Sequence, residues 1–252
     1  MNQMNPRFRD LSVVPTSPTT ALVIACDSSA GIGEKPLDAV QIDSAITAAY
    51  SLRVPLLELL CFGARPIAVV DTVGNEMVPT GRRVIQGLKR ELTKAGFYDI
   101  PLNGSTEDNM PTRTTAIGVT VIGQINRKDI PTTSIDDSLI VYQLGTPYVG
   151  EAVKAHLATI FSYNQVRTIR ATPAVVDMLP VGSKGIANEL AQMAATHTAK
   201  ISAVVDLADA EFTQSAGPAT VLLVAVVADK RQLFERQFPE LTEIAQLHQN
   251  SD

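Results

Sequence analysis

Three polar segments hold the side chains that could do chemistry. The first runs from Asp27 to Asp38 and reads DSSAGIGEKPLD. The second is Asp71-Thr72-Val73-Gly74-Asn75-Glu76, and the third Asn103-Gly104-Ser105-Thr106-Glu107-Asp108-Asn109. Each follows or precedes an apolar run, and each carries carboxylates. Magnesium prefers hard oxygen ligands and takes a few carboxylates together with nucleotide phosphates. Several acidic segments at strand ends suit that need, although solvated surface loops have the same composition. In the first segment Gly31 and Gly33 can take positive φ and bring backbone N–H groups close to an anion. Lys35 adds a compact positive charge. An ordinary turn uses the same residues. The segment is not a P-loop, because no Gly-Lys-Ser/Thr closes it. Pro36 stands where a dinucleotide fingerprint needs its third glycine. His-Arg-Asp and Asp-Phe-Gly are absent, which excludes the protein-kinase set.

Other chemistries have less support. Cys26 and Cys61 both lie in apolar surroundings and are expected to be small buried hydrophobes, not a disulfide or a nucleophile. His156, His197 and His248 are scattered over helix-like segments with no zinc spacing. With no nucleophilic cysteine and no well-placed histidine, direct in-line transfer is favoured over a covalent intermediate.

The elements that must position these residues alternate. Residues 20–26 form a buried strand, and 39–62 a helix that Pro55 should kink or split. PIAVVD (66–71) is a second strand, ending on Asp71. PTGRRVIQGLKRELTKAGF is an amphipathic helix with Thr80 as N-cap and Gly96 as its stop. Residues 103–115 are a turn-rich polar loop, and 116–125 a strand. Residues 126–137 read as a linker, after which a second α/β pattern begins. There SLIVYQLG, AKISAVVDL and TVLLVAVVA are strands, and GEAVKAHLATIF, IANELAQMAATH and KRQLFERQF are helices. Two domains, 1–130 and 137–252, follow, of α/β or α+β class.

Composition narrows the function. Of 252 residues, 45% are apolar and 19% charged, enough for a sizeable core. A net charge of −5, no Trp and 5% aromatics argue against a nucleic-acid groove or base-stacking platform. Arg53, Glu58 and Arg65 interrupt the longest apolar stretch, and TVLLVAVVA is too short to span a bilayer. MNQMNPRFRDL lacks the apolar core of a signal peptide, so a soluble cytoplasmic protein is expected.

The order of the segments resembles the superfamily of aminoimidazole ribonucleotide synthetase, selenophosphate synthetase, thiamine-monophosphate kinase and the carbamoyl-dehydrating hydrogenase maturation factor. DSSAGIGEK looks like that family's Asp-Gly-Val-Gly-Thr-Lys loop. Gly63-Ala64-Arg65-Pro66 through Asp71 looks like its turn into a strand ending on aspartate, and Asn103 to Asp108 like its Gly-Gly-Glu-Thr loop. In the second half, the segment from Asp177 through Gly182-Ser183-Lys184-Gly185 resembles its glycine-rich helix start, and Ala216-Gly217-Pro218 its turn before a final strand. No single motif is specific; five in the right order, spanning about residues 10 to 238, are.

The resemblance implies a two-domain aminoimidazole-ribonucleotide-synthetase-like fold. Its N-terminal sheet would form a barrel across a homodimer, with an α/β domain following. It implies ATP and Mg2+ as cofactors. Asp27, Asp71, Glu107 and Asp108 would be metal ligands. Gly31, Gly33 and Lys35 would hold phosphates, with Asn75, Glu76, Gly104, Ser105 and Thr106 also on the cofactor side. Asp27, Lys35 and Asp71 would carry catalysis. Asp38 is unassigned beyond a capping role. The Gly182–Gly185 loop is either an anion site at a helix N-terminus or a plain helix entry.

Departures narrow the member. No mobile glycine-rich segment with Lys and reactive Cys precedes Cys26, and the chain ends QNSD without an acceptor cysteine. The adjacent pair Asp136-Asp137 falls in the linker, unlike the paired aspartates of thiamine-monophosphate kinase. The pattern looks closest to a compact synthetase-related branch that includes the α-ribazole kinase of cobalamin salvage. That implies a nucleoside-like small-molecule acceptor. The competing expectations are an ATP-dependent synthetase working through an acyl- or iminophosphate, and a non-catalytic nucleotide-binding dimer.

Overall fold

The computed structural model describes residues 7–131, 133, 135 and 137–249. MNQMNP, Asp136 and the final NSD lie outside the described residues. The chain forms two compact units, Met1–Leu60 with Ala64–Asp129, and Cys61–Gly63 with Ile130–Asp252.

In the first unit β1 (Arg7–Phe8), β2 (Leu11–Pro15) and β3 (Thr20–Ala30) come first, then the short β4 (Ile32–Gly33) and β5 (Val40–Gln41). Helix α1 (Ser44–Phe62), β6 (Arg65–Val73), helix α2 (Arg82–Lys94), β7 (Leu102–Thr106) and β8 (Ala116–Asn126) follow. Six strands make one sheet, in the order β1-β2-β3-β8-β6-β7. Along β3 and β8 burial alternates with period two, so one face carries Ala21, Val23, Ala25, Val119, Val121 and Ile125 into the core. Helix α1 lies on that face: a Cβ on Gly123 of β8 would stand 2.4 Å from Leu59 Cδ2. Helix α2 meets α1 where Gly87 faces Ala45, whose carbonyl oxygen would be 2.1 Å from an added Cβ. The opposite face bears Val14, Leu22, Ile24, Cys26, Ile122 and Val70, all half-buried or exposed.

Several boundaries differ from expectation. The first strand does not end at residue 26. Its pairing with β8 continues to Ala30↔Ala116, so Asp27 is a strand residue and not a loop residue. Cys26 is exposed, not buried, because strict alternation turns it to the open face. The first helix starts at Ser44, not 39: Asp43 Oδ1 accepts Ala45 N–H at 2.8 Å and Glu34 Oε2 accepts Ser44 N–H at 3.1 Å. Pro55 does not split it. The proline forfeits one backbone bond, while the surrounding Leu52, Leu56, Leu57 and Leu59 are fully buried. Thr80 is not the cap of the next helix. A π-helical turn, Met77–Gly81, precedes α2, and Thr80 Oγ1 instead donates to Glu76 Oε1 at 2.6 Å. Gly96 does stop α2, with φ +78°. Phe97 N–H bonds Leu92 O and Gly96 N–H bonds Thr93 O, which closes a Schellman turn. The start of the 103–115 loop is a strand, β7, parallel to β6 at the sheet's edge.

The second unit contains β9 (Leu139–Gly145), α3 (Glu151–His156), α4 (Tyr163–Arg170), β10 (Val175–Pro180), α5 (Gly185–Thr196), β11 (Ala199–Ala203), α6 (Ala210–Thr213), β12 (Val221–Val227), α7 (Arg231–Gln237) and β13 (Thr242–Gln249). Its sheet runs β10-β12-β9-β13-β11, every pair antiparallel. The VLLVAVV of β12 is apolar throughout because both its faces are covered. Ile186, Leu190 and Met193 of α5 pack with Val141, Leu223 and Ala225. Tyr142 instead meets Phe234 of α7, ring centroids 5.2 Å apart. The helix expected over GEAVKAHLATIF stops at His156, and the AKISAVVDL strand at Ala203. Strands β10 and β13 and helices α4 and α6 are not among the expected elements.

Candidate functional site

The C-terminal ends of β3, β6 and β7 and the N-terminal end of β8 lie together at one end of the first sheet. The loops that leave them therefore gather there. In register, Asp27 of β3 pairs with Val119 of β8, Val119 with Asp71 of β6, and Asp71 with Gly104 of β7. These four residues form one rung, and side chains on a rung share a face. Two carboxylates thus flank Val119 on the core face, their backbones two strand spacings or about 10 Å apart. Gly104 is required beside Asp71, since a Cβ there would stand 2.3 Å from Asp71 Oδ1.

Burial sets the electrostatics of this pair. It pushes Asp27 up to about 6, only partly offset by the backbone hydrogen bond from Ser28. Asp71 is raised for the same reason. Two carboxylates that are costly to ionise on one rung are suited to a divalent cation, which stabilises both anions.

Lys35 is also at this end. Its Nζ bonds Glu76 Oε2 at 2.5 Å. Partial burial pushes Glu76 up, but hydrogen bonds from Lys35 and Thr80 outweigh it and hold the carboxyl at about 2. Gly31, with φ +72°, has open space where a Cβ would stand. Gly33 packs instead on Thr115, whose Oγ1 would lie 2.3 Å from an added Cβ.

Two residues tie the loops to the short segment before β8. Asp38, only 7% exposed, accepts from Lys35 N–H, Thr115 N–H and Thr115 Oγ1, each at 2.7 Å. Asn75, fully buried, donates to Thr112 Oγ1 at 2.6 Å and Thr114 O at 2.8 Å, and accepts from Ala116 N–H at 2.9 Å. Its amide serves as a clamp. Asp38 does not cap the following helix as expected: that helix begins at Ser44, where Glu34 and Asp43 accept its first N–H groups, and the Asp38 carboxylate is taken up by Lys35 and Thr115. Glu34 was passed over in the sequence, although it pairs with Arg83 and caps α1.

The remaining expected residues are placed as follows. Glu107 turns its carboxylate to the Asn109 and Met110 N–H groups, at 2.7 and 3.3 Å. Asp108 accepts from Met77 N–H at 2.9 Å and Thr106 Oγ1 at 2.7 Å, and these bonds lower its pKa. Asn103, Ser105 and Thr106 line a cavity of about 430 Å3 with Asp71, Met77 and Lys89. The structure brings Asp27, Asp71 and Gly104 together, and Lys35 with Glu76. Among the described residues no group of three or more His, Cys, Asp or Glu forms a metal cluster. In the second unit, Gly182 and Lys184 precede α5 without a side-chain cap. Gly185 takes φ +83° against the Phe212 and Gln214 carbonyls, so it serves close packing.

No protein-family model matches the chain, and no curated protein matches it in sequence. In three dimensions it has the aminoimidazole ribonucleotide synthetase-like α/β fold. Thiamine monophosphate kinase from Aquifex aeolicus superposes with a TM-score of 0.67 at 14% identity, over 96% of this chain and 90% of that one. Hydrogenase maturation protein HypE in complex with ATP gives 0.64 at 13%, over 98% and 80%. T. maritima PurL complexed with ATP gives 0.64 at 11%, over 94% of this chain and 42% of that one. At such identities the likeness is one of fold.

Among the described residues one helix, α1, has the length and hydropathy of a membrane span, and 67% of its most apolar stretch is buried inside the protein, as suits a core helix.

Proposed function

We propose that this chain is an ATP- and Mg2+-dependent small-molecule kinase. The acceptor proposed is α-ribazole, whose 5′-hydroxyl would take the γ-phosphoryl group. The Asp27–Val119–Asp71–Gly104 rung carries the proposal: it presents two destabilised carboxylates on one face, beside loops that hold a lysine. Structures of the same fold described as complexes with ATP support the nucleotide. The α-ribazole assignment rests on the sequence resemblance.

Asp27 and Asp71 fit magnesium, which usually takes one or two carboxylates and keeps its other positions for phosphate and water. When bound, the ion would neutralise charge on the transferring phosphates. Lys35 supplies the mobile cation; a phosphate oxygen would replace Glu76 as its partner. Open space at Gly31 leaves room for the ligand beside the backbone. Asp27 or Asp71 would orient the acceptor hydroxyl, and with the metal and Lys35 stabilising the transferred group no strong base is needed. Cys26 points to the opposite face, away from the rung. We also propose a homodimer through the open face bearing Ile24, Ile122 and Val70. A gel-filtration mass of one chain at micromolar protein would refute the dimer.

The test is ADP release from magnesium-ATP with α-ribazole, other nucleosides, thiamine phosphate and formylglycinamidine-type substrates. The expected result is α-ribazole-dependent release with a stable phosphate monoester seen by mass spectrometry. A rearranged product with free phosphate would support a synthetase instead. ATP binding without turnover on any acceptor would sink the kinase.

A further inference from the structure

The second unit has a cavity of its own, about 660 Å3, at the C-terminal end of β9 and the start of β13. The segment between α3 and α4 and Glu211 of α6 border its other sides. No Lys, Arg or His among the described residues lines it, whereas Glu211 and Glu240 do. Both glutamates are exposed, and neither carboxylate has an ion pair or hydrogen bond among the described residues.

A buried amide also reaches this cavity. Gln143 lies on β9 between β12 and β13 and is only 9% exposed. Its Nε2 donates to Gly145 O at 3.0 Å. That bond fixes which way the amide faces, because the flipped amide would set two acceptor oxygens together. Gln143 Oε1 accepts no hydrogen bond among the described residues, and it keeps surface open to the cavity. With strands on both flanks, a donor can come to it only through the cavity. The start of α4 supplies no backbone donor, since its capping box is closed: Ser162 Oγ accepts Gln165 N–H at 3.2 Å, and Gln165 Oε1 accepts Ser162 N–H at 2.9 Å. What remains unmet is an acceptor oxygen at the floor and two carboxylates at the rim. A ligand with N–H donors and a positive charge satisfies both, whereas an anion satisfies neither.

We propose that this cavity binds a small organic amine in its protonated form, with a second N–H donor further along the molecule. One donor group meets Gln143 Oε1, and Glu211 and Glu240 hold the other end. Every residue involved belongs to the second unit, and none is part of the Asp27–Asp71 rung. The site therefore stands independently of the kinase proposal.

1,3-Diaminopropane, 1,3-propanediol and malonate are titrated into the full chain by calorimetry in an amine-free buffer, at low and at high salt. The expected result is binding of the diamine that weakens with salt, far weaker binding of the diol, and none of malonate. Glu211→Gln with Glu240→Gln should weaken the diamine at least about tenfold at an unchanged melting temperature and remove most of its salt dependence. Gln143→Met, of similar volume, should weaken it at low and high salt alike. Asp229→Asn, on the same unit but outside the cavity, should leave it unchanged. No binding of the diamine at millimolar concentration, or equal binding by wild type and the double variant, would overturn the proposal. So would the diol or malonate binding as tightly as the diamine.

Discussion

Replacing Asp27 by Asn should make the protein more stable at neutral pH and less active. Burial raises this carboxyl from 3.8 to about 6. At about 1.36 kcal/mol per pH unit, that difference is roughly 3 kcal/mol against the folded anion. Water reaches part of the side chain, and screening reduces the expected value to about 1–2 kcal/mol. The pH dependence has a definite sign. Below 3.8 the group is neutral in folded and unfolded chains alike and contributes nothing. Between 3.8 and about 6 the unfolded chain gives up the proton more readily, so stability falls as pH rises. Above about 6 the full penalty persists. Asparagine has nearly the same shape and no charge, so it escapes the penalty. Thermal melts at pH 7.5, 6.0, 5.0 and 4.0 should show the variant melting about 2–8 °C higher at pH 7.5, with the gap closing toward pH 4. A variant no more stable than wild type at pH 7.5, or a gap independent of pH, would refute the burial argument.

Other substitutions test the same end of the sheet. Asp71→Asn should keep the fold, judged by circular dichroism, and lower magnesium-dependent turnover by about 10²–10³-fold; near-wild-type turnover would remove Asp71 from the metal site. Gly104→Ala places a Cβ 2.3 Å from Asp71 Oδ1 and 2.5 Å from Asp71 O, so it should destabilise by about 1–3 kcal/mol in urea denaturation and depress turnover. Asn75→Ala strips the clamp from Thr112, Thr114 and Ala116 and should lower stability by about 2–3 kcal/mol; a loss below 0.5 kcal/mol, taken as about the size of an ordinary surface change, would show that the clamp is dispensable.

The alternation of apolar strands and amphipathic helices was legible wherever one face met the core, as in β8, or both did, as in β12. What escaped were elements whose reason lies elsewhere in the chain. NGST in β7 is polar because the strand is at an edge and mostly exposed, so no periodicity marks it; only β6 makes it a strand. The continuation of β3 through Asp27-Ser28-Ser29-Ala30 is imposed by β8, against residues that read as a loop. Glu34 and Asp43 cap α1 through contacts that spacing alone does not reveal. At the candidate site the sequence singled out three segments that the strand register gathers at one end of the first sheet. It could not show that Asp27 and Asp71 share a rung, because register is a property of paired strands. Nor could it show that Asp38 and Asn75 hold loops, since their partners lie 77 and up to 41 residues away.

Those last contacts have a kinetic consequence. The amides of Thr115 and Ala116 end on Asp38 and Asn75, and Gly31 N–H ends on Thr115 O. None can meet solvent deuterium unless the segment before β8 lets go of both loops. In hydrogen exchange without any ligand, these amides should therefore open as one cooperative group and exchange at a common, slow rate. If the proposed nucleotide binds at this end, it would find the loops already ordered. Little of its binding free energy would go into freezing the loops, and its association would not wait on their folding.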